Sequence, residues 1–277
     1  MALAPVKYNI PEIIAKDHEN QVLVVLKNSS RLFALQSFLK YGKTVSGSKQ
    51  PNLDDFSTLV SLDLLKKQKA ELIFLHLTDT DTQKHHYGIN SPEALASVKR
   101  MDERIGKLVE AAASNYQILI VSDHAQVDAH YFCDLNKINP IENTWWHISD
   151  GSAFLLNKGP LTLAPVDQVK NWLEQQSFFK RYLSLKEMES SGFAQVSALG
   201  ITAAKDWSFS IYQHLGNHGY PLDIPDYQPF YFVKGLKVKE NQVLSGGSVL
   251  DICPLILRLL DLTTFKQQGQ LKEEIFN

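Results

Sequence analysis

The stretch Leu77-Thr78-Asp79-Thr80-Asp81-Thr82-Gln83-Lys84-His85-His86-Tyr87-Gly88, LTDTDTQKHHYG, gathers two carboxylates and two imidazoles in a short span. It directly follows the apolar run Leu72-Ile73-Phe74-Leu75-His76-Leu77, so these polar groups are expected where a strand ends and a loop begins. That is where open α/β sheets hold their ligands. Carboxylate together with neutral imidazole is a donor set for zinc, manganese or iron, and a larger share of oxygen favours manganese.

Outward from this stretch, strand-like runs at Gln21 to Leu26, Glu71 to Leu77 and Gln117 to Val121 alternate with helix-like segments at Arg31 to Tyr41, Asp55 to Gln68 and Pro92 to Ala113. Such alternation predicts a parallel sheet covered by helices. The helix at Pro92 has clear start signals: Ser91 as N-cap, Pro92 in the first position and Glu93 in the first turn. Its apolar residues Leu95, Val98, Ile105, Leu108 and Val109 fall mainly on one face. From Asn143 to Gln213 the pattern changes to short strands, turns and aromatic clusters, with a helix near Val166 to Gln175. This segment reads as an inserted cap (143–213) between two parts of an α/β core (1–142 and 214–277). Beyond it, YFVKG predicts a strand and Ser248 to Leu260 an apolar helix.

The composition is that of a globular protein: 277 residues, 44% apolar and 21% charged, with a formal charge of −2 and a pI near 6.5. No bulk basic excess of the kind nucleic-acid binders carry is present, so a nucleic-acid polymer is not expected as a partner. Cys133 and Cys253 match no metal or redox spacing. The N-terminal MALAPVKYNI has no secretory pattern, and no apolar run approaches the roughly 18 residues of a membrane span. A cytoplasmic chain with no membrane partner is the expectation.

Three clusters concentrate the His and Asp residues: Asp79, Asp81, His85 and His86; Asp123 and His124 in VSDHAQ; and His214 and His218 in HLGNHGYPLD. In a parallel sheet the first two, each directly after a strand, would converge on one edge. The ordered set Asp81, His85, Tyr87-Gly88, then Ser122-Asp123-His124, then Asn217-His218-Gly219-Tyr220 resembles the type I phosphodiesterase and nucleotide pyrophosphatase family of the alkaline phosphatase superfamily. Further likeness lies in Tyr8 to Ile13, Val98 to Gly106 and Asp150-Gly151-Ser152-Ala153, so the resemblance spans essentially the whole chain.

The resemblance implies an alkaline-phosphatase-like three-layer sandwich around a mostly parallel sheet. It implies hydrolysis of phosphodiester or phosphoanhydride bonds, with a phosphate ester or nucleotide as the small-molecule partner. Two divalent metals, zinc or else manganese, would flank the phosphoryl group and neutralise its oxygens. Asp81, His85 and His218 would hold the first, Asp123 and His124 the second. Asp79, His86 and Tyr220 would orient these ligands or touch the substrate, and Trp145, Trp146 and Tyr220 are candidate stacking platforms for a base.

The chain also departs from the family pattern. Ahead of the region matching Tyr8 onward, family members carry a strand ending in another metal-binding Asp, then a Thr or Ser nucleophile. No residue here matches either; Ser29 and Ser30, opening a helix after QVLVVLKN, offer a substitute hydroxyl, but nothing there supplies the missing Asp. The expectation is therefore a truncated, weakly active or inactive hydrolase with one well-formed metal site and an incomplete sheet prone to self-association. The alternatives are a non-catalytic metal- or nucleotide-binding remnant, or a relative of the manganese-dependent phosphomutases. Ala125 replaces the usual Gly after Asp-His, which would matter if the backbone there needed a positive φ. A sulfatase is disfavoured, because neither cysteine has the Cys-x-Pro-x-Arg context.

Overall fold

The computed structural model describes residues 22–26, 42–46, 53–67, 72–157, 166–262 and 268–277. Ser29, Ser30, the expected helix at Arg31 to Tyr41 and the Tyr8 to Ile13 motif lie outside these. In chain order the elements begin with strands β1 (Val22–Leu26) and β2 (Gly42–Ser46), helix α1 (Leu53–Lys67), β3 (Leu72–Leu75), helices α2 (Asp79–Tyr87) and α3 (Pro92–Ala112), and β4 (Ile118–Val121). Short strands β5 (Val127–Asp128) and β6 (Tyr131–Phe132), helix α4 (Leu135–Ile138) and strands β7 (Thr144–Ser149) and β8 (Ser152–Asn157) follow. Next come α5 (Val166–Leu173), β9 (Phe179–Tyr182), α6 (Leu185–Ser190), β10 (Leu199–Ala203), β11 (Trp207–Ser208), β12 (Gly216–Asn217), β13 (Tyr231–Lys234) and α7 (Ile252–Leu259).

The chain forms two compact units, residues 1–80, 98–123 and 230–277 in one and 81–97 and 124–229 in the other. The second unit takes in all of the segment read as a cap, together with 81–97, 124–142 and 214–229.

In the first unit β1 pairs in parallel with both β2 and β3, giving the order β2-β1-β3. β13 runs antiparallel to β4, with Tyr231 opposite Val121 and Lys234 opposite Ile118. Among its described side chains, helix α1 buries Asp54, Ser57, Thr58, Ser61 and Leu65. The Asp54 carboxylate accepts the N–H groups of Thr78 at 3.1 Å and Asp79 at 2.7 Å. It thus caps the start of α2 from a different helix, where unpaired N–H groups and the helix dipole favour an anion.

That cap explains the main departure from the sequence reading: Asp79 to Tyr87 is a helix and not a loop. Its sequence buries no apolar residue, so it carries no periodic signal. Helix α3 starts as expected, with the Ala94 N–H donating to Ser91 Oγ at 3.1 Å. Its buried positions are nevertheless Ala94, Ser97, Arg104 and Ala112, while Leu95 and Val98 are exposed. Small residues let this helix pack closely, and Arg104 is buried because it is paired, as described below. The apolar C-terminal segment opens with a 3₁₀ turn at Val249–Asp251, closed by a Ser248–Asp251 capping box, and continues as α7. Among the described residues no helix is long and apolar enough to cross a membrane.

The second unit is built on an antiparallel sheet of order β7-β8-β10-β9. Its core gathers Trp146, Leu155, Leu173, Ile201 and Phe209, each at most 1% exposed. Helix α6 is fixed by a capping box in which the Glu187 N–H donates to Ser184 Oγ at 3.3 Å and the Ser184 N–H to Glu187 Oε2 at 2.7 Å. Arg181 adds a two-pronged ion pair at 2.8 and 3.1 Å, and chiefly this guanidinium holds the Glu187 carboxyl down at about 2. A depressed folded-state value stabilises above the ordinary 4.5 and is lost as pH falls towards 2. With solvent screening the partly exposed pair, the expected contribution is about 1 kcal/mol. Thermal melts from pH 6 down to pH 2 should show it: Glu187→Gln melts lower than the parent at pH 6, and the gap closes by pH 2. A constant gap would remove the charge from this role.

Candidate functional site

Two short pairings assemble the site within the second unit. β12 pairs antiparallel with β5, Gly216 opposite Asp128 and Asn217 opposite Val127, which brings His218 beside His124. The same β12 segment lies along the end of α2. The Leu215 N–H donates to the His85 carbonyl at 2.8 Å, and His85 Nδ1 donates to the Gly216 carbonyl at 2.6 Å. Gly216 is required for that approach, because a Cβ there would collide with the Lys84 carbonyl. Three segments remote in sequence therefore meet through a ladder two residues long.

Asp81, His124 and His218 each place a ligand atom within 4.8 Å of the other two. His85 joins them, with Nε2 3.3 Å from Asp81 Oδ1, one helical turn along α2 from the carboxylate. The His124 and His218 rings stack with centroids 4.0 Å apart, and His85 lies 5.2 Å from His218 and 4.5 Å from His214. Gln126 is buried and its amide donates to Asp81 Oδ1 at 3.0 Å.

Burial opposes ionisation of Asp81, but the bond to His85 and the charges of His85, His124 and His218 hold its carboxyl below the usual range. Burial also works against a charged His85, yet Asp81 and the Gly216 carbonyl raise its value. His218 is lowered by burial and then by His124, and His214 by burial and then by His85.

The donor set fits a divalent metal. One carboxylate and two imidazoles converge, and the second nitrogen of His85 is taken by a backbone carbonyl, which fixes the tautomer so that Nε2 carries the lone pair. Ligating histidines are ordinarily held in this way.

Of the residues chosen from sequence, the structure brings together Asp81, His85, His124 and His218. His124 falls with Asp81 and His218, whereas the sequence grouped it with Asp123. Asp123 is exposed at the end of β4 in the first unit. His86 is exposed, its ring 6.3 Å from that of His214. Two expectations are corrected. Asp79 binds Arg100 at 2.8 and 3.1 Å and the buried Arg104 at 3.2 Å, and Arg104 also binds Asp55 at 2.9 Å. Its carboxylate thus anchors the start of α2 in place of orienting a metal ligand. Tyr220 is buried, its hydroxyl donating to the Trp207 carbonyl at 2.7 Å and its ring lying where a Cβ on Gly151 would fall. Trp146 is likewise in the core, so neither ring offers a face to a base. Ala125 is not among the residues with positive φ, and its substitution for Gly is accommodated. Sequence reasoning missed Gln126 and the Gly216 carbonyl; only the proximity of Gln126 to Asp123-His124 could have pointed to either.

Comparison with known proteins identifies the family. The sequence profile described as "Type I phosphodiesterase / nucleotide pyrophosphatase" matches residues 5–221. Human bis(5'-adenosyl)-triphosphatase ENPP4 is 24% identical over 210 residues, 70% of this chain and 45% of its own length. Venom phosphodiesterase 2 of Crotalus adamanteus is 21% identical over 75% of this chain and 28% of its own. The chain thus spans less than half the length of these curated relatives. Murine ectonucleotide pyrophosphatase / phosphodiesterase 5 superposes with a TM-score of 0.75 at 16% identity, over 98% of this chain and 75% of that one. An inactive variant of the same murine protein has been solved in complex with AMP, with the same TM-score. The fold is α/β of the alkaline phosphatase type, and the chain belongs to the type I phosphodiesterase / nucleotide pyrophosphatase family of hydrolases.

Proposed function

We propose that this chain binds zinc at Asp81, His85, His124 and His218 and, through it, the phosphate of a nucleotide, as the metal-binding part of a phosphodiester- or phosphoanhydride-cleaving site. The convergence of Asp81, His124 and His218 carries this reading. A divalent ion there would draw charge from a phosphoryl oxygen. The chain's own groups do the rest: Gln126 restrains the Asp81 carboxylate, and the Gly216 carbonyl restrains His85. The resemblance instead divides these residues between two ions, Asp81, His85 and His218 for one and Asp123 and His124 for the other; binding of a second ion would take His124 out of the first set. The resemblance matches no nucleophile to a residue of this sequence, so turnover by these 277 residues is expected to be slow, because covalent catalysis needs a positioned hydroxyl.

AMP is the natural probe, since a relative of the same fold is solved with it. Calorimetry should show AMP binding with zinc present, its loss on adding a chelator, and its return with zinc. Hydrolysis of the nitrophenyl ester of thymidine monophosphate, measured alongside, should be slow. AMP binding indifferent to zinc would defeat the metal reading, and rapid zinc-dependent turnover would show that a nucleophile is present.

A further inference from the structure

We infer that Asp150 is a positioning residue of the metal centre, its carboxylate restraining the ring of His218; this rests on the zinc reading above. Asp150 and Gly151 form the entire loop of the β7–β8 hairpin, whose last paired residues are Ser149 and Ser152. Asp150 has φ +41°, in the left-handed region. The backbone of a tight hairpin loop favours glycine, asparagine or aspartate at such a position. A carboxylate there brings no conformational advantage over glycine or asparagine, so its role is read from what it faces.

The loop is also fixed against the segment that carries His218. The Gly151 N–H donates to the His218 carbonyl at 3.0 Å, and the Phe209 N–H to the Asp150 carbonyl at 2.7 Å. Neither Gly151 nor Gly219 has room for a Cβ, the first facing the Tyr220 ring and the second the Ser149 carbonyl. From this anchored loop Asp150 Oδ2 faces His218 Nε2 at 3.9 Å, its side chain 20% exposed. The other two imidazoles contact backbone oxygens, His85 that of Gly216 at 2.6 Å and His124 that of Ala125 at 3.2 Å. The partner facing His218 is the Asp150 carboxylate, and its charge also reaches His85 and His214.

Two substitutions separate the carboxylate from the turn. Asp150→Asn and Asp150→Gly both suit a positive φ, so the metal-free variants should melt at or above the parent temperature. If the carboxylate restrains His218, zinc affinity of the full chain, measured by competition with a chromophoric chelator, should fall about 10- to 100-fold in both variants. Parent-like zinc affinity in Asp150→Asn would overturn the inference and leave the zinc reading intact. A loss of affinity matched by a lowered metal-free melting temperature in both variants would assign Asp150 to structure alone and overturn it too. A parent chain that binds no zinc would remove the zinc reading, and this inference with it.

Discussion

Asp81→Ala is expected to weaken zinc binding about a hundred-fold or more, as follows when some 10–16 kcal/mol of binding is shared among four ligands. The carboxylate is the negative member of the converging set, it accepts a hydrogen bond from Gln126 and lies 3.3 Å from His85 Nε2, and its removal leaves imidazoles packed against one another. His218→Ala should lose a comparable amount. Asp79→Ala, only two residues away, is the informative contrast: zinc affinity should change little while stability falls, because Arg104 would lose one of its two carboxylate partners in a buried position. Chelator competition and thermal melts on the three variants separate these outcomes. If Asp79→Ala weakens zinc binding as severely as Asp81→Ala, the assignment of Asp79 to the arginine network fails.

Gly219→Ala is expected to destabilise the second unit by about 3 kcal/mol, on the order of 10 °C in its melting midpoint. Its φ of +78° penalises any side chain, and the added Cβ would collide with the Ser149 carbonyl. Gly192 supplies the internal reference, since it has φ +75° with nothing near its Cβ position. Gly192→Ala should cost only about 1 kcal/mol, the backbone component alone. The difference between the two melts measures how tightly the β7–β8 loop is packed against the His218 segment. Equal melts would show that this contact relaxes without cost.

Much of the fold was legible because long apolar segments carry it. β1, β3, β4, α1 and α3 begin and end within a few residues of where the sequence places them, since each shows apolar runs or a cap. Helix α2 was not legible, because Asp54, a residue outside it, caps its first turn. The direction of β13 was not legible either, since a strand's own pattern does not state whether its partner is antiparallel. In the candidate site, the residue types in that order pointed to Asp81, His85, His124 and His218, which the structure brings together. Asp150 and Gln126 could not be singled out, because an Asp in a turn and a Gln near a strand acquire their meaning only from what they face. Tyr220 and Trp146 were misplaced for the opposite reason: aromatic rings suit a base, but they suit a core as well.

The two-residue ladder between β5 and β12 has a consequence for the order in which the molecule assembles. The ladder joins Gly216 to Asp128 and Asn217 to Val127, and the bond from His85 to Gly216 joins positions 131 residues apart; so brief a set of contacts cannot repay the entropy of closing such spans. These strands are expected to meet only after the larger antiparallel sheet has collapsed around Trp146 and Leu155. Competence to take up a metal would then be among the last properties gained during refolding, appearing after most of the amide protection. Zinc, in turn, would act as a latch on an almost finished molecule and slow the reopening of a chain closure that the backbone alone holds weakly.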